Sequence, residues 1–154
     1  MAKIRKVEKR DLPALKAVLD SIDLFPSEML DDMIADYFNN PNSADIWLTT
    51  IENDVPISIA YCAPEKLTKG TYNLYAIGVN SNIQSKGVGS ELMHYIEQLL
   101  QNKGHRILIV ETSSSSDFAE TRNFYEKLNY TKEAVIRDFW SEGDDKVIYW
   151  KKLN

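Results

Sequence analysis

Between Ile77 and Ser90 the chain reads Ile-Gly-Val-Asn-Ser-Asn-Ile-Gln-Ser-Lys-Gly-Val-Gly-Ser, a strand-like end, a polar loop and the start of a glycine-bearing helix. The first amides of a helix have no partner within it and sit at the positive end of its dipole. Glycine lets an anion come close to such amides, and Lys86 adds a positive charge. Gln84, Ser85, Lys86, Gly87, Val88, Gly89 and Ser90 therefore have the makings of a pyrophosphate cradle. A glycine pair that simply allows close packing at a helix start fits the same spacing, so the surrounding residues must decide.

Two other phosphate motifs are tested by counting. A Walker A loop ends Gly-Lys-Ser/Thr, whereas Lys86 precedes Gly87 here. A dinucleotide fingerprint would need a third glycine where Leu92 stands, and its first glycine should follow the strand directly rather than after a loop from Asn80. Glu111, roughly 20 residues on, is the one feature that suits it. A nicotinamide-dependent oxidoreductase is weakened, not eliminated. Other chemistry finds less support. No serine-histidine-acid pattern is identifiable; His94 reads as a helix-surface residue and His105 as a strand start. Cys62 is the only cysteine, so the chain has no intrachain disulfide and no thiolate pair for zinc, and no metal site is expected. Its place in a strand run suits a small buried hydrophobe.

The elements that must position these residues follow from periodicity. Ile4 to Val7 alternates as a short strand. Leu12, Leu15, Val18, Leu19 and Ile22 recur at helical spacing after Asp11-Leu12-Pro13, and a second helix should begin after Pro26 with Ser27 as its N-cap and stop at Asn39-Asn40-Pro41. Two strands, Asp45 to Glu52 and Val55 to Ala63, flank an Asn53-Asp54 turn, and Tyr72 to Val79 makes a third. Val88, Leu92, Tyr95, Ile96, Leu99 and Leu100 line one face of a helix that ends near Lys103-Gly104. Ile107-Leu108-Ile109-Val110 has the unbroken apolar character of a central strand. Asp117 and Glu120 suit a capping box for the next helix, and Asn129 sits where a left-handed residue must end it. Strands around Thr131 to Arg137 and Lys146 to Lys152 close the chain. The order βααβββαβαββ calls for an α+β fold, a mixed, mostly antiparallel sheet flanked by helices.

The chain has 154 residues, 18 basic and 23 acidic, for a net charge of −5, and 44% of it is hydrophobic. That composition suits one globular domain over residues 1–154 and excludes disorder, collagen and coiled coil. The acidic balance offers no footprint for nucleic acid and disfavours anionic membrane surfaces. Without an apolar leader or a span of ~18 apolar residues, a cytoplasmic location is expected.

Two stretches resemble the GNAT superfamily of N-acetyltransferases. Gln84-Ser85-Lys86-Gly87-Val88-Gly89 matches the family's Gln/Arg-x-x-Gly-x-Gly/Ala loop at every fixed position. Phe124-Tyr125-Glu126-Lys127-Leu128-Asn129-Tyr130 matches its aromatic-Tyr-Glu-Lys-Leu-Gly-aromatic segment, with Asn129 in place of the glycine. Phe118 departs from the asparagine that many relatives carry seven residues before Tyr125. The resemblance implies acetyl-coenzyme A as co-substrate, its pyrophosphate on the backbone amides from Gln84 to Ser90, and its thioester carbonyl oriented by main-chain groups around Ile77 and Val79. Gly78 in that strand suits close backbone approach by a ligand, or a bulge. It further implies Tyr125 as the acid that protonates the departing thiolate. Glu111, at the end of the strand before Tyr125's helix, is the candidate base. The resemblance implies as acceptor a primary amine of a small molecule or peptide; dimers are common among such relatives, which makes a homodimer possible, though nothing in the sequence requires one. A coenzyme-binding regulatory module on the same fold is the alternative function.

Overall fold

A computed structural model of the protein describes residues 2–83 and 86–154. Twelve elements follow in the order β1 (Lys3–Lys6), α1 (Leu12–Ser21), α2 (Leu30–Asn39), β2 (Ile46–Glu52), β3 (Val55–Pro56), β4 (Ser58–Pro64), β5 (Thr71–Val79), α3 (Val88–Asn102), β6 (Ile107–Ser113), α4 (Ala119–Lys127), β7 (Thr131–Ser141) and β8 (Asp144–Lys152). The result is an α+β fold, a mixed eight-stranded sheet with four helices. By contact the chain forms two compact units, one running to Pro64 and resuming over Tyr75–Ile96, the other comprising Glu65–Leu74 and Glu97–Asn154.

In the first unit β2 pairs antiparallel with β1, β3 and β4. Asn53 and Asp54 both take positive φ, 52° and 64°, the two-residue turn geometry that matches strand twist. The expected strand Val55 to Ala63 is instead two, β3 and β4. Pro56 lacks an N–H and the chain steps out of line at Ile57, whose amide bonds the Thr50 carbonyl at 2.8 Å. Val7, Leu15, Val18, Leu19, Leu30, Ile34, Trp47 and Ile59 form the core between the helices and this sheet. Trp47 is fully buried and lies flat on Tyr61, ring centres 4.2 Å apart. Asp11, almost fully buried, closes the turn before α1: its carboxylate takes two guanidinium bonds from Arg5, at 2.8 and 2.9 Å, and the Glu8 amide at 2.7 Å. The paired Arg5 holds the Asp11 carboxyl below its ordinary range. Pro13 falls in the first turn of α1 as expected. Ser27 does not cap α2; residues Ser27–Met29 form a 3-10 turn and the α-helix proper starts at Leu30 without a side-chain cap.

In the second unit the order is the first half of β5, then β6, β8 and β7, with β5 and β6 parallel and the rest antiparallel. β6 is central here, and its neighbours bury Leu108, Val110, Val147 and Tyr149. Along α3, whose residues as far as Ile96 belong to the first unit, the buried residues are Val88, Leu92, Met93, Ile96 and Leu100; Tyr95, expected in that stripe, is exposed and Met93 takes its place. The helix ends as expected, at Gly104 with φ 84°, where the His105 amide bonds the Leu100 carbonyl.

Candidate active site

Tyr125 belongs to the second unit, on α4, and is held from both ends of the local chain. α4 ends in a Schellman motif: Asn129 has φ 69°, its amide bonds the Glu126 carbonyl at 3.1 Å, and the Tyr130 amide reaches back to the Tyr125 carbonyl at 3.0 Å. The side chains complete the motif, with Tyr125 and Tyr130 edge to face at 5.8 Å. Phe124 at 5.2 Å and Tyr149 at 5.7 Å add further ring contacts. These neighbours are themselves fixed: the Tyr130 hydroxyl donates to Glu97 at 2.6 Å and the Tyr149 hydroxyl to Glu126 at 2.7 Å. Burial and that bond to Glu126 push the Tyr149 phenol up to about 12, so it stays a proton-bearing structural donor at neutral pH. Asn129 thus does the work of the glycine it replaces, and Tyr125 is buried with its ring orientation set by packing.

The start of α4 differs from expectation. Asp117 and Glu120 make no capping box; Ser116–Phe118 form a 3-10 turn and α4 begins at Ala119 with no side-chain cap. Arg122 supplies the order instead, donating to the carbonyls of Ser113 and Ser115, each at 2.7 Å, which ties α4 to the end of β6. Asp145 and Ser114 exchange bonds with one another, 2.8 and 3.0 Å, so the serine loop is pinned to β8 as well.

Glu111 lies within β6, which continues to Ser113, and is paired with Lys146 at 3.1 Å. The register sets Glu111 against Ile148 and Ser113 against Lys146, so the pair is diagonal across the ladder. Lys146 is mostly buried and also lies over the Phe139 ring at 4.0 Å. Lys146 is the neighbour of Glu111 that sequence reasoning missed. Nothing short of the β6–β8 register shows that it faces Glu111.

The cradle segment and the end of β5 belong to the first unit. Gln84 and Ser85 lie outside the described residues. Gly87, with φ 79°, precedes α3 and has open space where a Cβ would stand. The first helical bond runs from the Glu91 amide to the Gly87 carbonyl at 3.0 Å. The amides of Val88, Gly89 and Ser90 therefore precede the helical ladder, the arrangement that suits an anion. Lys86 and Gly87 are exposed, and Ile77 and Val79 are half-buried on β5. Gly78 does meet a close approach, but from the protein itself: a Cβ there would stand 2.3 Å from Ile22 Cδ1 and 3.3 Å from Leu24 Cδ2. Cys62 is fully buried, which pushes its thiol far up, and is not a nucleophile. Among the described residues no group of three or more His, Cys, Asp or Glu is arranged to hold a metal ion, and no helix is long and apolar enough to cross a membrane.

The model of the acetyltransferase (GNAT) family matches residues 3–130. The chain belongs to the GNAT family. That stretch covers both the cradle segment and Tyr125. A 5-NmdU N-acetyltransferase of Pseudomonas phage PaMx11 is 31% identical over 85 residues, 55% of this chain and 57% of the relative, so the match spans little more than half of that curated protein. Among solved structures, a Desulfovibrio desulfuricans protein assigned to the GNAT family aligns over 100% of both chains with a TM-score of 0.93 and 28% identity. An aminoglycoside 6'-N-acetyltransferase complexed with coenzyme A shares the GNAT fold at 15% identity, with a TM-score of 0.77 over 99% of this chain and 97% of its own.

Proposed function

We propose that this chain is an acetyl-coenzyme A-dependent N-acetyltransferase acting, as a single domain, on a primary amine of a small molecule or peptide. The observation that carries the reading is the left-handed Gly87 at the head of α3, inside the segment matched by the GNAT family: a Cβ-free, open approach to three successive helix-start amides. Those amides suit the pyrophosphate of the coenzyme, which supplies an activated acetyl thioester when bound. In the reading, Gln84, Ser85 and Lys86 complete the cradle, and main-chain groups around Ile77 and Val79 orient the thioester carbonyl and stabilise developing oxyanion charge.

The acceptor nitrogen attacks the carbonyl carbon, the carbon–sulfur bond breaks, and the thiolate needs a proton while the amine loses one. Tyr125 is assigned the first transfer, because its ring is immobilised by three aromatic neighbours and a phenol is a competent donor to a thiolate. Glu111 is assigned the second. Its Oε2 is engaged by Lys146, and Oε1 is the atom given the proton, directly or through water.

Calorimetric titration with acetyl-coenzyme A, coenzyme A and nicotinamide dinucleotides tests the reading, followed by thiol release against a panel of amines. Micromolar coenzyme binding weakened by Gly87→Ala supports it. Binding without thiol release from any amine favours the regulatory module, and no binding of either coenzyme form overturns the cradle. A cytoplasmic location accords with a co-substrate of that compartment and is part of the same proposal.

A further inference from the structure

In the second unit β7 departs from a plain strand near its end. Asp138 takes φ 55°, outside the range of an extended strand, and the β7–β8 register shifts between Ile136 and Ser141. Two bonds hold the irregularity: the Asp138 amide donates to Asp145 Oδ1 at 2.9 Å, and Asp138 Oδ1 accepts the Gly143 amide at 2.9 Å. The consequence falls on the next two residues. A regular strand sends neighbouring side chains to opposite faces, yet the Phe139 and Trp140 rings stand edge to face with centres 4.8 Å apart. Both reach the end of β6. Lys146 Nζ lies 4.0 Å from the Phe139 ring centre and 3.1 Å from Glu111 Oε2, and Trp140 Nε1 donates to the carbonyl of Thr112, the residue after Glu111, at 3.2 Å. We propose that Phe139 and Trp140 are the specificity-determining pair for the acceptor: their open ring surfaces take an uncharged aromatic group that the acceptor carries one or two carbons from its amine.

The chemistry of the open surface selects the group. Phe139 is 49% exposed and Trp140 48%, so each ring keeps a large part of its surface outward after these contacts. The one polar group of Trp140 is engaged by Thr112, and one face of Phe139 by Lys146. What is left offers hydrocarbon and π surface and no hydrogen-bond donor. An aromatic ring gains from such a surface both by burial and by stacking in offset or edge-to-face geometry. The Lys146 ammonium opposes a second cation at the same place, so the group is uncharged. Reach then sets the spacer. The two distances from Lys146 Nζ put the Phe139 ring centre within about 7 Å of Glu111 Oε2, and aromatic partners stack with centres about 4.5–7 Å apart. An amine that gives its proton to Glu111 Oε1 meets those limits with its ring one or two carbons away; a longer spacer carries the ring past the pair.

A purely structural account leaves part of this arrangement over. Phe139 alone covers Lys146, which needs neither a second ring beside it nor a left-handed residue before it. That conformation is one an L-residue adopts only at a cost, and irregular strand positions of this kind re-aim side chains. Here the side chains re-aimed are the two rings. The assignment deepens the proposed acetyl transfer and rests on Glu111 as the group that takes the amine proton.

Binding tests the pair and turnover tests the transfer, so that each can fail alone. Calorimetric titration of the full chain, with and without coenzyme A, compares 2-phenylethylamine with 2-cyclohexylethylamine. The saturated ring is the more hydrophobic of the two, so a preference for the planar one reads stacking rather than burial. The parent should bind 2-phenylethylamine about tenfold more tightly, the scale of one or two aromatic pairs. Phe139→Leu and Trp140→Leu should each bring the two dissociation constants to within about threefold of one another. Trp140→Phe keeps a ring while removing the bond to Thr112, and should hold the preference above about fivefold, which a role confined to that bond would not. An unaltered melting transition confirms the fold of each variant. A parent that binds neither amine, or binds both within about threefold, overturns the proposal, as does a preference that survives in both leucine variants. Where thiol release is measurable, the ratio of kcat/KM for the two amines should follow the binding ratio, with the loss in the leucine variants carried by the KM for 2-phenylethylamine. Selective aryl binding with no thiol release from any amine upholds the pair and overturns the transferase reading instead.

Discussion

Replacing Tyr125 by phenylalanine separates the chemistry assigned to its hydroxyl from the packing of its ring. The ring contacts with Phe124, Tyr130 and Tyr149, at 5.2, 5.8 and 5.7 Å, are retained, as is the backbone lock on α4 through Asn129. What is lost is one hydroxyl, worth about 0.5–1.5 kcal/mol as a hydrogen bond. At about 2–4 °C per kcal/mol for a chain of this size, the melting temperature should fall by less than about 6 °C. A positioned general acid contributes about 10²–10⁴ in rate, so kcat for thiol release should fall by that factor, with the KM for acetyl-coenzyme A little changed. Tyr125→Ala would not serve, since removing the ring from this aromatic cluster costs about 3–5 kcal/mol and confounds fold with chemistry. Should Tyr125→Phe keep kcat within about twofold of the parent, the acid assignment is refuted.

Three further outcomes follow from single contacts. Asn129→Gly should leave stability unchanged or slightly raised, whereas Asn129→Ala should cost about 1 kcal/mol by denaturant titration, because the position requires φ 69°. Gly78→Ala should cost about 1–2 kcal/mol through overpacking, and pairing it with Ile22→Val, which removes the atom 2.3 Å from the new Cβ, should recover part of that loss in a double-mutant cycle. Asp11→Ala should cost about 2–3 kcal/mol, as it strips two bonds from Arg5 and one from the Glu8 amide. The Asp11 carboxyl is depressed in the folded state, so its contribution is fully present above its unfolded value near 3.9 and fades as pH falls through the folded one. Acid unfolding of Asp11→Ala should therefore show a flatter pH dependence below about pH 4 than the parent does.

Local conformational requirements were legible where one residue type meets them almost alone. Asn129 at a helix exit, Asn53-Asp54 between strands and Gly104 after α3 were each expected to leave ordinary φ space or turn the chain, and each has positive φ. Helical and strand periods were legible for the same reason, since burial on one face imposes spacing on the chain itself. Caps were less so. Ser27, Asp117 and Glu120 have the right types and spacing, yet 3-10 turns precede both helices, and Arg122 bonds the carbonyls that lead into α4. A cap is one of several ways to satisfy the same backbone groups, and the choice falls to whichever partner the fold brings near.

By its sequence alone the chain determined its α+β order, its glycine-bearing helix start and the Tyr125 segment, all of which depend on neighbours within a few residues. Only the tertiary structure decided what these residues meet. Gly78 makes room for Ile22 rather than for a bulge, Glu111 is held by Lys146 across 35 positions of chain, and Tyr125 is wedged against Tyr149 on a strand that arrives last. Those contacts depend on strand register and on the packing of distant segments, and register is set by the whole sheet rather than by any one stretch of it.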